Sequence, residues 1–466
     1  MKRNGVMFTT RISSLGNSLR LDRSRVTPWI IFLLAALIRG FVLLIVFHYH
    51  NSQDMLNLTP DSSNYVGGAQ AIISDGFLVN RRELFYFPVG YPLLLAVSFL
   101  LWGIQTLPIL AVQVLLSSWT CVLIYLIALE AGLTRRVAFI AGLLGVFSIT
   151  SIALSSLVLS DTVYVFLFAF SLWLLIRALH TGRLHFFLLA GTVCGGAMLV
   201  RPIGKYWPFV MVLVTLGYHF VQRARTDFRA PDLARLLRGA ILGCLIACLI
   251  PVPWVIRNYR VHGFPVMAIT TISARSTIAA KAMGNVVGQD YRKVQQEWEQ
   301  EYLSKHAGQP RLLEGLCHQA QIKTQEVESE YPLEVVGAYA EWSWENISEP
   351  DYLLPILLPP ASRTVDTISG FLRDHGLLRA RFYLSIAGLI ILIFGRHYRA
   401  TLFLGAVYGY CACTIGAFPY QGSRYFLPGQ LSGWILMATT IVFMVMILIE
   451  FTHRIQRFAK TSLNRT

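Results

Sequence analysis

Long apolar stretches alternate with short polar gaps along most of this chain, a pattern that predicts membrane-crossing helices. The first, Thr27 to Phe47, follows a polar run, 1–26, that holds Lys2, Arg3, Arg11, Arg20, Arg23 and Arg25. It is long enough for the roughly 30 Å of bilayer hydrocarbon, and it lacks the short core and small-residue cleavage site of a signal peptide. Further spans are expected at about 108–131, 136–157, 161–179, 184–200, 204–221, 239–256, 378–395, 399–417 and 429–450. The apolar run Val89 to Ile104 is short and bounded by Pro88, Pro92 and Gly103. If it crossed, Arg135 and Arg136 would lie outside. As a helix in the interface it leaves every later basic loop inside, which the charge rule favours. The expectation is an all-α polytopic membrane protein of about ten spans with both termini cytoplasmic.

The gaps divide the chain further. A basic cytoplasmic N-terminus (1–26) precedes an N-terminal transmembrane module (27–256), whose first outer loop covers 48–107. A large outer-face segment (257–377) holds most of the acidic residues; helical spacing returns there at 312–345, and Pro355, Pro359 and Pro360 break it. C-terminal helices (378–451) and a basic cytoplasmic tail (452–466) complete the chain. Within the first outer loop, Pro60 can start a helix with Asp61 in its first turn, where the dipole favours a carboxylate. Tyr65, Ala69, Ile72 and Ile73 then recur at helical spacing, as in a helix lying on the membrane surface. Asp61 is either a capping acid or a functional one on this pattern alone.

Composition supports the class. Of 466 residues 55% are hydrophobic and only 14% charged, with mean hydropathy +0.54. Soluble domains carry nearer 25% charged residues. The net charge of +15 does not point to nucleic acid, because the basic residues cluster in gaps between apolar runs. The seven cysteines fall mostly inside apolar segments without metal or disulfide spacing, and read as small packing residues. Walker-type glycines, His-Glu-x-x-His and Gly-x-Ser-x-Gly are absent, as is an internal repeat of the transporter kind.

Threaded this way, several polar residues share the outer face: Asp61, Asp161 after Ser160, Arg201 beside Pro202, Lys205, Arg257 after Pro253-Trp254, and Arg424 before Tyr425. A single boundary charge is as often a snorkelling anchor as a functional group. As a set, however, these cations run against the depletion of basic residues from short outer loops. Arginines hold phosphate through paired donors, lysine adds a point charge, and a carboxylate can take a proton from an acceptor hydroxyl. These parts fit glycosyl transfer from a lipid phosphate, with cations stabilising the departing phosphate.

The order Pro60-Asp61-Ser-Ser-Asn-Tyr65, Phe87-Pro-Val-Gly-Tyr91-Pro92, Leu159-Ser-Asp161-Thr, Arg201-Pro202, Pro253-Trp-Val-Ile-Arg257-Asn258 and Ser423-Arg-Tyr425 resembles the bacterial relatives of the protein O-mannosyltransferases and lipid A aminoarabinose transferases. The resemblance covers about 27–450. It implies the GT-C fold, interfacial helices in the first outer loop, a large outer-face segment, and inverting transfer from a polyprenyl-phosphate sugar on the outer face of the inner membrane. By the same resemblance Asp61 is the general base and Asp161 a supporting acid. Arg257, Arg201, Lys205 and Arg424 would contact the donor phosphate, and Tyr65, Tyr91 and Tyr425 would bind substrate. The aminoarabinose transferases carry a lysine where this chain has Phe87; Arg81 or Arg82 is the candidate to supply that charge. The implied partners are the lipid-linked donor, membrane lipids, and a lipid, glycan or protein acceptor. No metal ligand set is spelled out, and dependence on a divalent metal stays open.

Three further expectations follow. Arg39, inside the first span, either faces the protein or snorkels outward. Glu130 should pair with Arg135 or Arg136. Tyr86, Trp254, Trp342 and Trp344 read as interface anchors. The competing readings are an O-antigen-type polymerase or ligase using undecaprenyl-diphosphate glycans, or a lipid or solute transporter.

Overall fold

The computed structural model describes residues 23–224, 232–306, 311–348, 375–417 and 424–463. The predicted N-terminus (up to 22), Pro355, Pro359, Pro360 and most of the last outer loop lie outside these residues. The described chain is helical, without a strand.

Six described helices are long and apolar enough to cross a membrane: Val26–Tyr49, Leu107–Glu130, Asp161–Thr181, Leu233–His262, Tyr398–Ala417 and Leu427–His453. A seventh span forms if Arg135–Val146 and Ile149–Ser155, bent by 50° at their junction, count together. The remaining expected spans fall on helices that are shorter or carry charge: Leu184–Val200, Trp207–Arg223 and His375–Phe394. Gly90–Trp102, 13 residues, reaches only about 20 Å at 1.5 Å per residue, too short for the hydrocarbon layer. The last helix, Leu427–Leu463, continues through the expected tail for 37 residues, about 55 Å.

The bend after Val146 has a local cause. Phe147 interrupts the helix, and Ser148 caps the next by accepting from the Ser151 N–H at 3.4 Å. A break frees carbonyls that an intact helix would satisfy. Arg39, fully buried on the first helix, takes them: its guanidinium donates to the carbonyls of Gly145 and Val146 at 3.1 Å each, and to Ser117 Oγ at 2.7 Å. Arg39 therefore faces the protein. Arg39→Met should lower the unfolding temperature of the detergent-solubilised protein, since it strands the Val146 carbonyl at a cost of about 1–3 kcal/mol, while Gly145 keeps the Ser148 N–H. A thermal-unfolding scan reads this directly.

The bundle has two chemically distinct ends. Helices Asp161–Thr181 and Leu184–Val200 form an antiparallel pair, so Asp161 and Arg201 emerge together. At the opposite end Glu130 binds Arg177 at 2.8 Å and His180 at 3.0 Å. The expected partners, Arg135 and Arg136, are not used: helix packing brings Arg177 across, whereas those two start the next helix and are exposed. Arg183, Arg223, Arg235, Arg238 and Arg396 lie on the loops and helix ends of this same side.

Four helices of the large segment, Ile269–Val287, Tyr291–His306, Leu312–Glu330 and Pro332–Ser348, cap the Asp161 end. Ile278, Ala279, Ala282, Val327, Ala338 and Trp342 form their own core. Phe85, Ile269, Ile272 and Cys317 tie them to the first loop, and there His262 stacks on Phe85 with ring centroids 4.1 Å apart. Trp254 and Trp342 are buried within protein rather than placed as surface anchors. Trp344 is exposed.

Candidate active site

Thr59 fixes where the surface helix Pro60–Asp75 begins. Its hydroxyl accepts from the Ser62 N–H at 3.1 Å, with Pro60 at the first helical position. Asp61 is thereby held in the first turn, at the positive end of the helix dipole. Asp161 also lies in the first turn of its own helix, as its first residue, directly after Ser160. Ser160 Oγ shares a hydrogen bond of 2.7 Å with Tyr65 OH, which links the two acid-bearing helices.

Arg424 joins the acids. Its Nη2 lies 3.0 Å from Asp61 Oδ2 and 3.0 Å from Asp161 Oδ2, and its Nε donates to Asp161 Oδ2 at 3.1 Å. Arg201 Nη1 donates to the other Asp161 oxygen, Oδ1. Two carboxylates and two guanidiniums thus form one chain, with Asp161 at its centre. Burial works most strongly against the charge of Arg424, but Asp161, Tyr425 and Asp61 together outweigh it and hold the guanidinium well above its ordinary pKa. Arg201 is also raised: burial opposes its charge, and Asp161, Tyr425 and Tyr65 together prevail. Tyr425 lies beneath both, 5.1 Å from the Arg201 carbon and 5.7 Å from that of Arg424. Burial lifts the Tyr65 phenol well above its usual value, with Arg201 pulling the other way.

The two acids differ in access. The Asp61 side chain is 31% exposed and Asp161 3%, so only Asp61 is open to a reactant. It faces a cavity of ≈ 230 Å³ lined also by Tyr65, Tyr86, Phe87, Arg201, Arg424 and Tyr425. Thr270, Ser273 and Thr277 form the opposite wall. Sequence reading missed that wall, although its three hydroxyl residues recur at three- and four-residue spacing, a polar stripe on one helix face. Tyr86, expected as an interface anchor, is part of the cavity.

Several expected site residues lie elsewhere. Arg257 does not line the cavity. Its Nε donates to Phe77 O at 2.7 Å, Nη1 to Asn258 Oδ1 at 2.9 Å and Nη2 to Val79 O. It braces the loop after the surface helix, with Trp254 4.9 Å below its guanidinium. Tyr91 is buried under the site and donates to Gln113 Oε1 at 2.6 Å. Arg82 is exposed above Tyr86, and Arg81 pairs with Asp75 at 2.7 Å; neither lines the cavity. Phe87 instead stacks on Tyr65 at 4.2 Å. Lys205 lines a second cavity of ≈ 780 Å³, which adjoins the first through Pro202, Ile203, Thr270 and Ala274. Among the described residues no three His, Cys, Asp or Glu side chains are grouped as a metal site would need.

Gly90, in the Pro-Val-Gly-Tyr-Pro motif, explains how the first loop fits against Arg201. A methyl group there would stand 2.7 Å from the Leu199 carbonyl oxygen. Only glycine lets the loop come so near the strand-like turn that carries Arg201.

This arrangement, helices gathered under a capped acid and arginine cluster, defines a polytopic membrane protein of the GT-C glycosyltransferase fold. Residues 87–256 match the family model described as dolichyl-phosphate-mannose-protein mannosyltransferase. Among solved structures, the apo oligosaccharyltransferase of Archaeoglobus fulgidus aligns with TM-score 0.50 and 11% identity, over 92% of this chain and 52% of that one. The same organism's oligosaccharyltransferase AglB, in complex with an inhibitory peptide and a dolichol-phosphate, gives 0.48 and 12%, over 91% and 51%. Apo ArnT from Cupriavidus metallidurans gives 0.36 and 15%, over 89% and 78%. The chain thus spans about half the length of the oligosaccharyltransferase it aligns with. No curated protein matches it by sequence.

Proposed function

We propose that this protein is a membrane glycosyltransferase that moves a sugar from a polyprenyl-phosphate donor to an acceptor hydroxyl. The observation that carries the reading is the accessible Asp61 carboxylate, 3.0 Å from Arg424, in a cavity whose wall also includes Arg201. The matched family, named for a dolichyl-phosphate donor, supports the donor class. Asp61 takes the proton as the acceptor oxygen attacks the anomeric carbon. The bond from that carbon to the phosphate oxygen breaks, and its electron pair leaves with the lipid phosphate. Arg201 and Arg424 face the departing charge, and the five N–H donors of a guanidinium allow one side chain to serve a carboxylate and a phosphate together. Attack opposite the leaving group inverts the anomeric configuration.

Asp161 acts through the arginines, fixing both in place from its buried position. The basic end of the bundle would lie in the cytoplasm by the charge rule, which turns the Asp61 end outward, to the periplasm in a cell with an outer membrane. Purified protein incubated with polyprenyl-phosphate sugars and a panel of lipid, glycan and peptide acceptors should release polyprenyl phosphate, and NMR of the glycosylated acceptor should show inverted anomeric configuration. A retained configuration would remove the single-displacement scheme, and no release from any such donor would remove the function.

The bracing role of Arg257 gives a contrast. Arg257→Ala should lower thermal stability by about 1–3 kcal/mol, because the Phe77 and Val79 carbonyls lose their donor. Its donor KM should rise less than that of Arg201→Ala. The reverse order would return Arg257 to the phosphate.

A further inference from the structure

The larger cavity, ≈ 780 Å³, falls within the about 300–1,000 Å³ range of small-molecule sites. It lies between the capping helices and the bundle, and it meets the Asp61 cavity along Pro202, Ile203, Thr270 and Ala274. A molecule seated there can extend one end to Asp61. Resting on the glycosyltransferase reading above, we infer that this cavity holds the acceptor, and that the acceptor is a glycan of neutral sugars.

Charge is the first argument. Lys205 contributes one positive charge, while Arg275 is matched by Glu328, with Nε to Oε1 at 2.7 Å. A phosphorylated lipid headgroup would need several unmatched cations. The second argument is the polar lining. Gln321 and Gln325 line it with side-chain amides, neutral groups that both donate and accept, as a sugar hydroxyl does.

Rings supply the third. Tyr339 and Tyr410 use their hydroxyls on the carbonyls of Cys413 and Ile203, the latter at 2.7 Å. They are therefore fixed as apolar faces, and Tyr206 adds a third, more exposed ring. Apolar faces beside amides match the two surfaces of a sugar ring. A peptide adding as a strand would need a sheet edge, and no strand is present among the described residues.

Cys413 gives a readout on the unaltered protein, since it is exposed and lines this cavity. Purified protein would be treated with a maleimide, and alkylation of Cys413 followed by mass spectrometry. Neutral hexose oligosaccharides, a serine- and threonine-rich peptide and a phosphorylated glycolipid would each be added as protectant. The oligosaccharides should slow alkylation saturably. Gln321→Leu and Gln325→Leu should each raise their half-protecting concentration about tenfold, as for loss of one hydrogen bond. Protection by the peptide or the glycolipid instead, or protection unaltered in both folded variants, would overturn the inference. Polyprenyl-phosphate-sugar cleavage by the same wild-type preparation is measured in parallel with each of the three protectants present as acceptor. Cleavage without oligosaccharide protection rejects the glycan acceptor alone, whereas absence of cleavage from every donor rejects the reading beneath it.

Discussion

Arg424→Met is expected to abolish sugar transfer and to destabilise the protein in the same stroke. Arg424 holds Asp61 and Asp161 at 3.0 Å each through one nitrogen. Without it the buried Asp161 keeps only Arg201, and Asp61 faces another carboxylate with no cation between them. Removing one partner of a buried ion pair costs about 3–5 kcal/mol, because the remaining charge has lost its compensation. Catalysis loses an electrostatic stabiliser of the leaving phosphate, a term of about 10²–10³ in rate where one such donor has been removed elsewhere. Thermal unfolding and polyprenyl-phosphate release, measured on the same preparation, separate the two effects. Arg424→Lys should recover much of the stability and little of the rate, since an ammonium cannot reproduce the forked contact. A fully active Arg424→Met variant would remove the cluster from the mechanism.

Asp61→Asn should separate those effects from the opposite direction. The side chain is partly exposed and makes one ion pair at its edge of the cluster, so the amide should leave the unfolding temperature nearly unchanged. It cannot accept the acceptor's proton, and loss of a positioned base lowers the rate by about 10²–10⁴. The expected signature is a fall in kcat with donor KM little altered. If activity persisted at the wild-type level, the base would have to be another group. If the variant unfolded, Asp61 would be a structural acid like Asp161.

Much of this cluster was legible before any coordinates. Asp61, Asp161, Arg201 and Arg424 each stand beside a break between an apolar run and a polar gap. Those breaks alternate sides, so their shared end followed from counting crossings. Arg257 shows the limit of that logic. Sidedness assigns a residue to one end of the bundle and says nothing about the direction of its guanidinium, and here three donors turn to Phe77, Val79 and Asn258. Glu130 failed for a related reason. Its neighbours in sequence seemed the natural partners, but Arg177 and His180 are 47 and 50 positions away and one helix contact distant. The number of spans was also beyond hydropathy alone, because Leu184–Val200 and Trp207–Arg223 are each only 17 residues long. The motif at Phe87 could be read as a departure from the aminoarabinose transferases. That an aromatic stack with Tyr65 stands in its place needed the coordinates.

The contact between Arg424 and Asp61 joins positions 363 residues apart. A ribosome that has delivered everything up to the penultimate span has therefore made an acid with no guanidinium beside it, and Asp161 with only one of its two. If the cluster is the catalytic site proposed above, it is complete only as the final helix inserts, and a prematurely released chain in the bilayer would be silent rather than promiscuous.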